Sequence, residues 1–106
     1  MEREVALAFR EDLAKGFLLV GFRRVWYPRG EEVEESLKRW FRKQVEDDVG
    51  IIFLSSSFYK MLYNEIRRVE MEGRAYPVVV SVPEEVGEED PIDRIIKRAI
   101  GIELKK

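Results

Sequence analysis

Apolar residues along this chain alternate between two kinds of run. Val5, Ala6, Leu7, Ala8 and Phe9 are consecutive, as in a strand buried on both faces. Asp12 then offers an N-cap for a short helix through Leu13, Ala14, Phe17 and Leu18 that ends near Gly21. Phe22 to Tyr27 reads as a second strand, and its mixed polarity, with Arg23 and Arg24 beside Val25 and Trp26, suits a sheet edge. Beyond the turn Pro28-Arg29-Gly30, the residues Val33, Leu37, Trp40, Phe41 and Val45 recur at helical spacing in a segment from Glu31 to about Glu46. Glu31, Glu32, Glu34 and Glu35 crowd its first turns and Lys38, Arg39, Arg42 and Lys43 follow, matching the sign of the helix dipole. The pairs Glu34 with Lys38 and Glu35 with Arg39 each add about 0.3–0.5 kcal/mol.

Gly50 precedes Ile51-Ile52-Phe53-Leu54, the expected central strand. Ser55, Ser56 and Ser57 supply capping hydroxyls for a helix with Phe58, Met61, Leu62, Ile66 and Val69 on one face, which Gly73 ends. Tyr76 and Pro77 lead into a last strand, Val78 to Val82, closed by Pro83. The alternation β-α-β-α-β-α-β predicts an α/β domain over residues 1–83. Its four-stranded parallel sheet, in the order 2-1-3-4 with helices on both faces, is similar to that of phospho-receiver domains.

Residues 84–89 are acidic, contain glycine and read as a linker. From Asp90 the pattern is helical again, with Asp90 as N-cap, Pro91 at the first helical position and Gly101 as C-terminal cap. Ile92, Ile95, Ile96, Ala99 and Ile100 form a narrow apolar stripe, and Asp93, Arg94, Lys97 and Arg98 lie elsewhere on the surface. Three turns of helix are marginal alone and need a surface to pack on. Three uses remain open: covering the fourth strand, docking on another chain, or moving between the two. Residues 90–106 are read as an amphipathic C-terminal helix with a short basic tail.

Composition narrows the chemistry. The 106 residues include no cysteine and no histidine, which removes disulfides, thiolate nucleophiles, the usual zinc sites and an imidazole base. A formal net charge of -2 gives no pull toward nucleic acid, and the patch of Arg23, Arg24, Arg29, Trp26 and Tyr27 is offset by neighbouring glutamates. The longest apolar runs, Phe17 to Phe22 and Ile51 to Leu54, are far short of a spanning helix, and Met1-Glu2-Arg3-Glu4 lacks the basic start of a signal peptide. A soluble cytoplasmic protein without membrane insertion is expected. Threonine is absent and Gln44 and Asn64 are the only side-chain amides, a bias of heat-adapted proteins.

Known site chemistries fit poorly. A phospho-receiver needs an acceptor aspartate after the third strand and a lysine after a late one; Ser55-Ser56-Ser57 and Pro83 stand there instead. Those serines could cradle an anion at a helix start, which keeps open an anion- or nucleotide-sensing domain that signals through the last helix. Without histidine they make no hydrolase triad. Asp47 and Asp48 read as solvated carboxylates, and Trp40, Phe41 and Phe58 as core. Tyr59 and Tyr63 lie off the main stripe and could face a partner. No catalytic residue, cofactor or metal ligand is assigned.

The run Glu89-Asp90-Pro91-Ile92-Asp93-Arg94-Ile95-Ile96-Lys97-Arg98-Ala99-Ile100-Gly101 resembles the C-terminal signature of the F subunit of the archaeal A-type and vacuolar V-type rotary ATPases. Gly16-Phe17-Leu18-Leu19-Val20-Gly21, Gly50-Ile51-Ile52-Phe53-Leu54 and Tyr76-Pro77-Val78-Val79-Val80-Ser81-Val82-Pro83 support the resemblance in the family's order. Departures are Phe9-Arg10-Glu11-Asp12, where the family commonly has a Gly-Asp pair, Leu18 in place of a common arginine, and the serines at 55 to 57. The resemblance implies a non-catalytic rotor component of the central stalk that takes part in ATP synthesis and ion transport and is peripheral to the membrane. It implies binding to the coiled-coil D subunit of the stalk, and a C-terminal helix that extends toward the catalytic A and B subunits or folds back and regulates hydrolysis. On that reading Ile92, Ile95, Ile96 and Ile100 bury against partners, while Arg94, Lys97 and Arg98 set register by ion pairs.

Overall fold

Residues 2–84 are described by a computed structural model of the chain; the linker beyond Glu84 and the helix expected from Asp90 lie outside the described residues. Four strands, β1 (Val5–Ala8), β2 (Arg24–Trp26), β3 (Ile51–Ser55) and β4 (Val78–Val82), form one parallel sheet in the order β2-β1-β3-β4. This is the expected order. The two runs with the fewest polar residues among the first three take the central places, Leu7 standing between Val25 and Phe53, and the arginine-bearing run takes an edge.

Helix α1 (Glu11–Leu19) links β1 to β2, α2 (Val33–Glu46) links β2 to β3, and α3 (Ser56–Met61) with α4 (Tyr63–Met71) links β3 to β4. Side chains alternate across the sheet, so each strand serves two layers. Ala6, Ala8, Trp26, Ile52 and Leu54 face Leu37 and Phe41 of α2, Phe58 of α3, and Leu62 and Ile66 beside and within α4, in one buried cluster. Trp26 and Phe58 meet edge to face, with centroids 5.2 Å apart. Each large aliphatic or aromatic side chain buried there contributes roughly 1.5–3 kcal/mol. The opposite face is thinner: Leu7 and Phe9 are buried there, as is Ala14 of α1, and the Phe17 ring lies between those of Phe9 and Phe22.

Several ends differ from the sequence expectation. Arg10, not Asp12, is the N-cap of α1; the Asp12 carboxylate accepts instead from the Arg10 guanidinium and from the adjacent Leu13 N–H. At the other end Gly21, at φ 110°, terminates α1 as expected, with Phe22 N–H donating to the Phe17 carbonyl and Gly21 N–H to that of Leu18. Helix α2 starts at Val33 because Glu32 is left-handed, leaving only Glu34 and Glu35 of the four glutamates in its first turn. Lys38 pairs with Glu34 at 3.3 Å; among the described residues no ion pair joins Glu35 to Arg39. The single helix expected after the serines is two, since Leu62 leaves helical geometry and its N–H is shared between the Phe58 and Tyr59 carbonyls, a local tightening of the turn.

Candidate functional site

In a parallel sheet the C-terminal ends of the strands are the usual place for chemistry. Here Ser55 caps α3 by position only: its side chain makes no capping bond, and its Oγ is buried without a hydrogen-bond partner. Ser57 Oγ instead donates to the Glu84 carboxylate, with oxygens at 3.0 and 3.2 Å. The Ser55 and Ser57 hydroxyls therefore have separate surroundings, and the one that is engaged already faces a negative charge. An anion arriving there would meet Glu84. Among the described residues no group of three acidic, histidine or cysteine side chains is placed to hold a metal ion.

The N-terminal ends of the strands carry most of the fixed charge. Glu4, just before β1, accepts from Arg23 and from Arg24 Nε at 2.6 Å, and Arg24 Nη1 reaches Gln44 Oε1 and Asp47 Oδ2, both at 2.9 Å. Gln44 is buried and fixed through its Nε2 to the Trp40 carbonyl. Hydrogen bonds from Arg24 and then Arg23 hold the Glu4 carboxyl below its ordinary value, and Arg24 does the same for Asp47. Alongside, Arg3 pairs with Asp48 at 2.6 Å and lies 4.1 Å from the Tyr76 ring centroid. Gly50 is required by this packing, because a Cβ there would sit 2.7 Å from the Arg3 Cβ. These contacts tie β1, β2, α2 and the approach to β4 together. Their charges are matched within the domain, and the cluster positions structure rather than a ligand.

What remains is surface suited to a partner, and it is apolar. On the α1 side of the sheet, α1 lies over β1 and β2, whereas Ile51 and Phe53 of β3 and Val80 and Val82 of β4 are only half-buried, and Val78 is 48% exposed. On the opposite side, α2 and α4 leave a shallow cleft of about 280 Å³ floored by Phe41, Val45 and Val69 and rimmed by Arg42, Glu65 and Arg68. Arg42 and Arg68 both reach Glu65 at that rim. Tyr63 is exposed, as expected, with its hydroxyl accepting from Arg67, while Tyr59 packs partly against the core. Among the described residues, half of the ten exposed large apolar side chains fall between positions 13 and 22: Leu13, Leu18, Leu19, Val20 and Phe22. From the sequence, Leu13 and Leu18 were placed in a short helix and Phe22 at the start of a strand, and this concentration was not singled out as surface. The partner-binding residues expected from pattern, Ile92, Arg94, Ile95, Ile96, Lys97, Arg98 and Ile100, lie outside the described residues. No helix among the described residues is long and apolar enough to cross a membrane.

Comparison with known proteins gives this arrangement a context. A family profile described as ATP synthase (F/14-kDa) subunit matches residues 6–100. The F subunit of the A-type ATP synthase of Thermococcus onnurineus is 30% identical, across 97% of this chain and 99% of that protein. That of Archaeoglobus fulgidus is 31% identical over 98% and 99%, and that of Methanosphaera stadtmanae 27% identical over the full length of both.

Proposed function

This chain belongs to the ATP synthase (F/14-kDa) subunit family, an accessory component of A/V-type ATPases, and we propose that it is the central-stalk component that binds the D subunit and regulates the motor through its C-terminal segment. The observation that carries the proposal is the extent of the match, which runs from β1 through Ile100 and so includes the isoleucine stripe. The site's geometry supports a part that works by packing. At the strand ends Ser55 Oγ is buried without a partner and Ser57 is taken up by Glu84, while among the described residues apolar side chains are exposed on both sides of the sheet.

In this reading the sheet domain stays attached to the D subunit, peripheral to the membrane. Residues 90–100 form an amphipathic helix that places Ile92, Ile95, Ile96 and Ile100 against the D subunit or the catalytic A and B subunits. Arg94, Lys97 and Arg98 fix its register by charge. Burial of each isoleucine is worth roughly 1.5–3 kcal/mol. Residues 84–89 are the tether, and it starts at a defined point, since Glu84 is bonded to Ser57.

The test is reconstitution of the ATPase with the full chain, with a chain ending at Pro83, and with Ile95→Asp/Ile96→Asp in the full chain. Retained binding to the D subunit with an altered hydrolysis rate in both altered chains is the expected result. An unchanged rate would remove the regulatory role, and a wild-type chain that does not bind the D subunit would remove the stalk assignment. Phosphate and nucleotides are expected to leave the melting temperature of the isolated chain unchanged.

A further inference from the structure

The exposed apolar residues of α1 surround an unusual notch. Ala14 is the buried residue of this helix, so the turn bearing Gly16, Leu19 and Val20, at spacings of three and four, points away from the sheet. Leu19 is 88% exposed and Val20 72%. Between Leu13 and these two stands Gly16, in the middle of a nine-residue helix. Glycine is the least favourable residue after proline at such a position. Nothing inside the domain calls for it: its φ is not positive, and a Cβ would meet no atom within 4 Å. A helix interior that carries glycine without an internal reason, flanked by two of the most exposed aliphatic side chains, has the shape of a seat for another backbone.

We propose that this outer face of α1, with Gly16 as the notch and Leu13, Leu19 and Val20 as its walls, receives an apolar α-helix of a neighbouring subunit in the ATPase. The proposal rests on the stalk assignment above and names the surface through which that attachment is made. The local charge favours an apolar partner: Lys15 is paired with Glu11 at 2.7 Å, Asp12 with Arg10 and Arg23 with Glu4, and Arg29 stacks on the Tyr27 ring, so most of the nearby charge is already engaged.

Size and position favour an elongated helix over a second copy of this chain. A stable interface buries about 800 Å² on each side, more than this short patch supplies alone. The seat lies toward the edge of the sheet where the strands begin, because α1 ends just before β2, whereas the C-terminal segment departs after β4, at the opposite edge of a parallel sheet. A long helix running past both edges would be held at two points, and the effective concentration of the second contact would make up for the smallness of the first.

The experiment uses the full chain and the purified D subunit, with affinity measured by titration and oligomeric state by sedimentation. Leu19→Glu/Val20→Glu is expected to weaken binding by at least ten-fold. Gly16→Leu separates interface from fold: leucine favours the helix and has open space within the domain, so this variant is expected to melt no lower than the wild type yet to bind at least ten-fold more weakly. Wild-type binding with both variants unchanged would overturn the seat while leaving the stalk assignment standing. A wild-type chain that does not bind the D subunit would overturn that assignment and the seat with it. A wild-type homodimer made monomeric by Leu19→Glu/Val20→Glu would overturn the seat by showing that a second copy occupies the face.

Discussion

Ile51 and Ile52 are the same residue type, adjacent on a central strand, and they live in different surroundings. Ile52 is fully buried in the cluster built with α2, α3 and α4; Ile51 points to the other side, where α1 lies over β1 and β2 and the β3–β4 half is only partly covered. The sheet thus has one finished face and one half-finished face. Its finished face explains why the domain folds. The half-finished one, with Phe53, Val78, Val80 and Val82 beside Ile51, is only partly covered among the described residues, and apolar surface of this kind is the form in which packing energy stays available for another segment or chain.

The largest effect expected from this contrast is Ile52→Ala, which should cost about 2–5 kcal/mol in denaturant unfolding through lost transfer energy and the cavity left behind. Ile51→Ala should cost less than half as much. Equal losses in the full chain would break the comparison, and would mean that the β3–β4 half is closed by residues after Glu84 even in the isolated chain. Gly50→Ala comes next. It brings a methyl within 2.7 Å of the Arg3 Cβ, and overpacking of this kind costs typically about 1–3 kcal/mol. Since the methyl meets the Arg3 Cβ itself, Arg3→Ala in the same chain should restore little of the loss, whereas Arg3→Gly, which removes that carbon, should restore part of it.

Much of this architecture was legible in the sequence, for a physical reason. Uninterrupted apolar runs such as Val5 to Phe9 and Ile51 to Leu54 have one stable home in a parallel sheet, and the helical stripe from Val33 to Val45 fixes which side of α2 is buried. Charge was less readable. Arg24 looked like edge polarity, yet it joins Glu4 and Asp47, residues 20 and 23 positions away, and no period in the sequence announces such contacts. The left-handed turn at Glu32 and the break at Leu62 were likewise hidden, since neither position carries glycine or proline. For α1 the difficulty was excess: Leu13, Ala14, Phe17, Leu18, Leu19 and Val20 surround a short helix, so pattern could not say that Ala14 is buried and Leu19 is not. The residues from Ile92 to Ile100 proposed to meet a partner were singled out by the shape of their stripe and by resemblance, and family membership supports the resemblance.

A smaller effect separates the two edges of the sheet by pH. The Glu4 and Asp47 carboxyls titrate below their ordinary values in the folded chain, held down chiefly by hydrogen bonds from Arg24. A carboxylate with a depressed folded pKa binds protons more readily when unfolded, so its contribution is fully present at neutral pH and is lost as pH falls below about 4.5 through the folded values. The melting temperature should therefore fall on acidification through that range. Arg24→Met should lower the neutral melting temperature and flatten this dependence. An equally steep decline in the variant would place the acid-sensitive contacts elsewhere in the domain.

The smallest expected change lies at the opposite edge, where the described chain leaves the sheet. Ser57→Ala removes the donor to Glu84 and little else, since both groups are on the rim of the domain. A hydrogen bond of this kind contributes about 0.5–1.5 kcal/mol locally, and because it lies beyond the last strand it should scarcely move global unfolding. Its effect should appear instead in amide exchange at residues 82–84, faster by a few-fold while the rest of β4 is unchanged. That result would show that the departure point of the C-terminal segment is held by the sheet domain rather than by the β4 ladder alone. Unchanged exchange would assign the restraint to the ladder, and the contrast between a finished and a half-finished face would then extend no further than Val82.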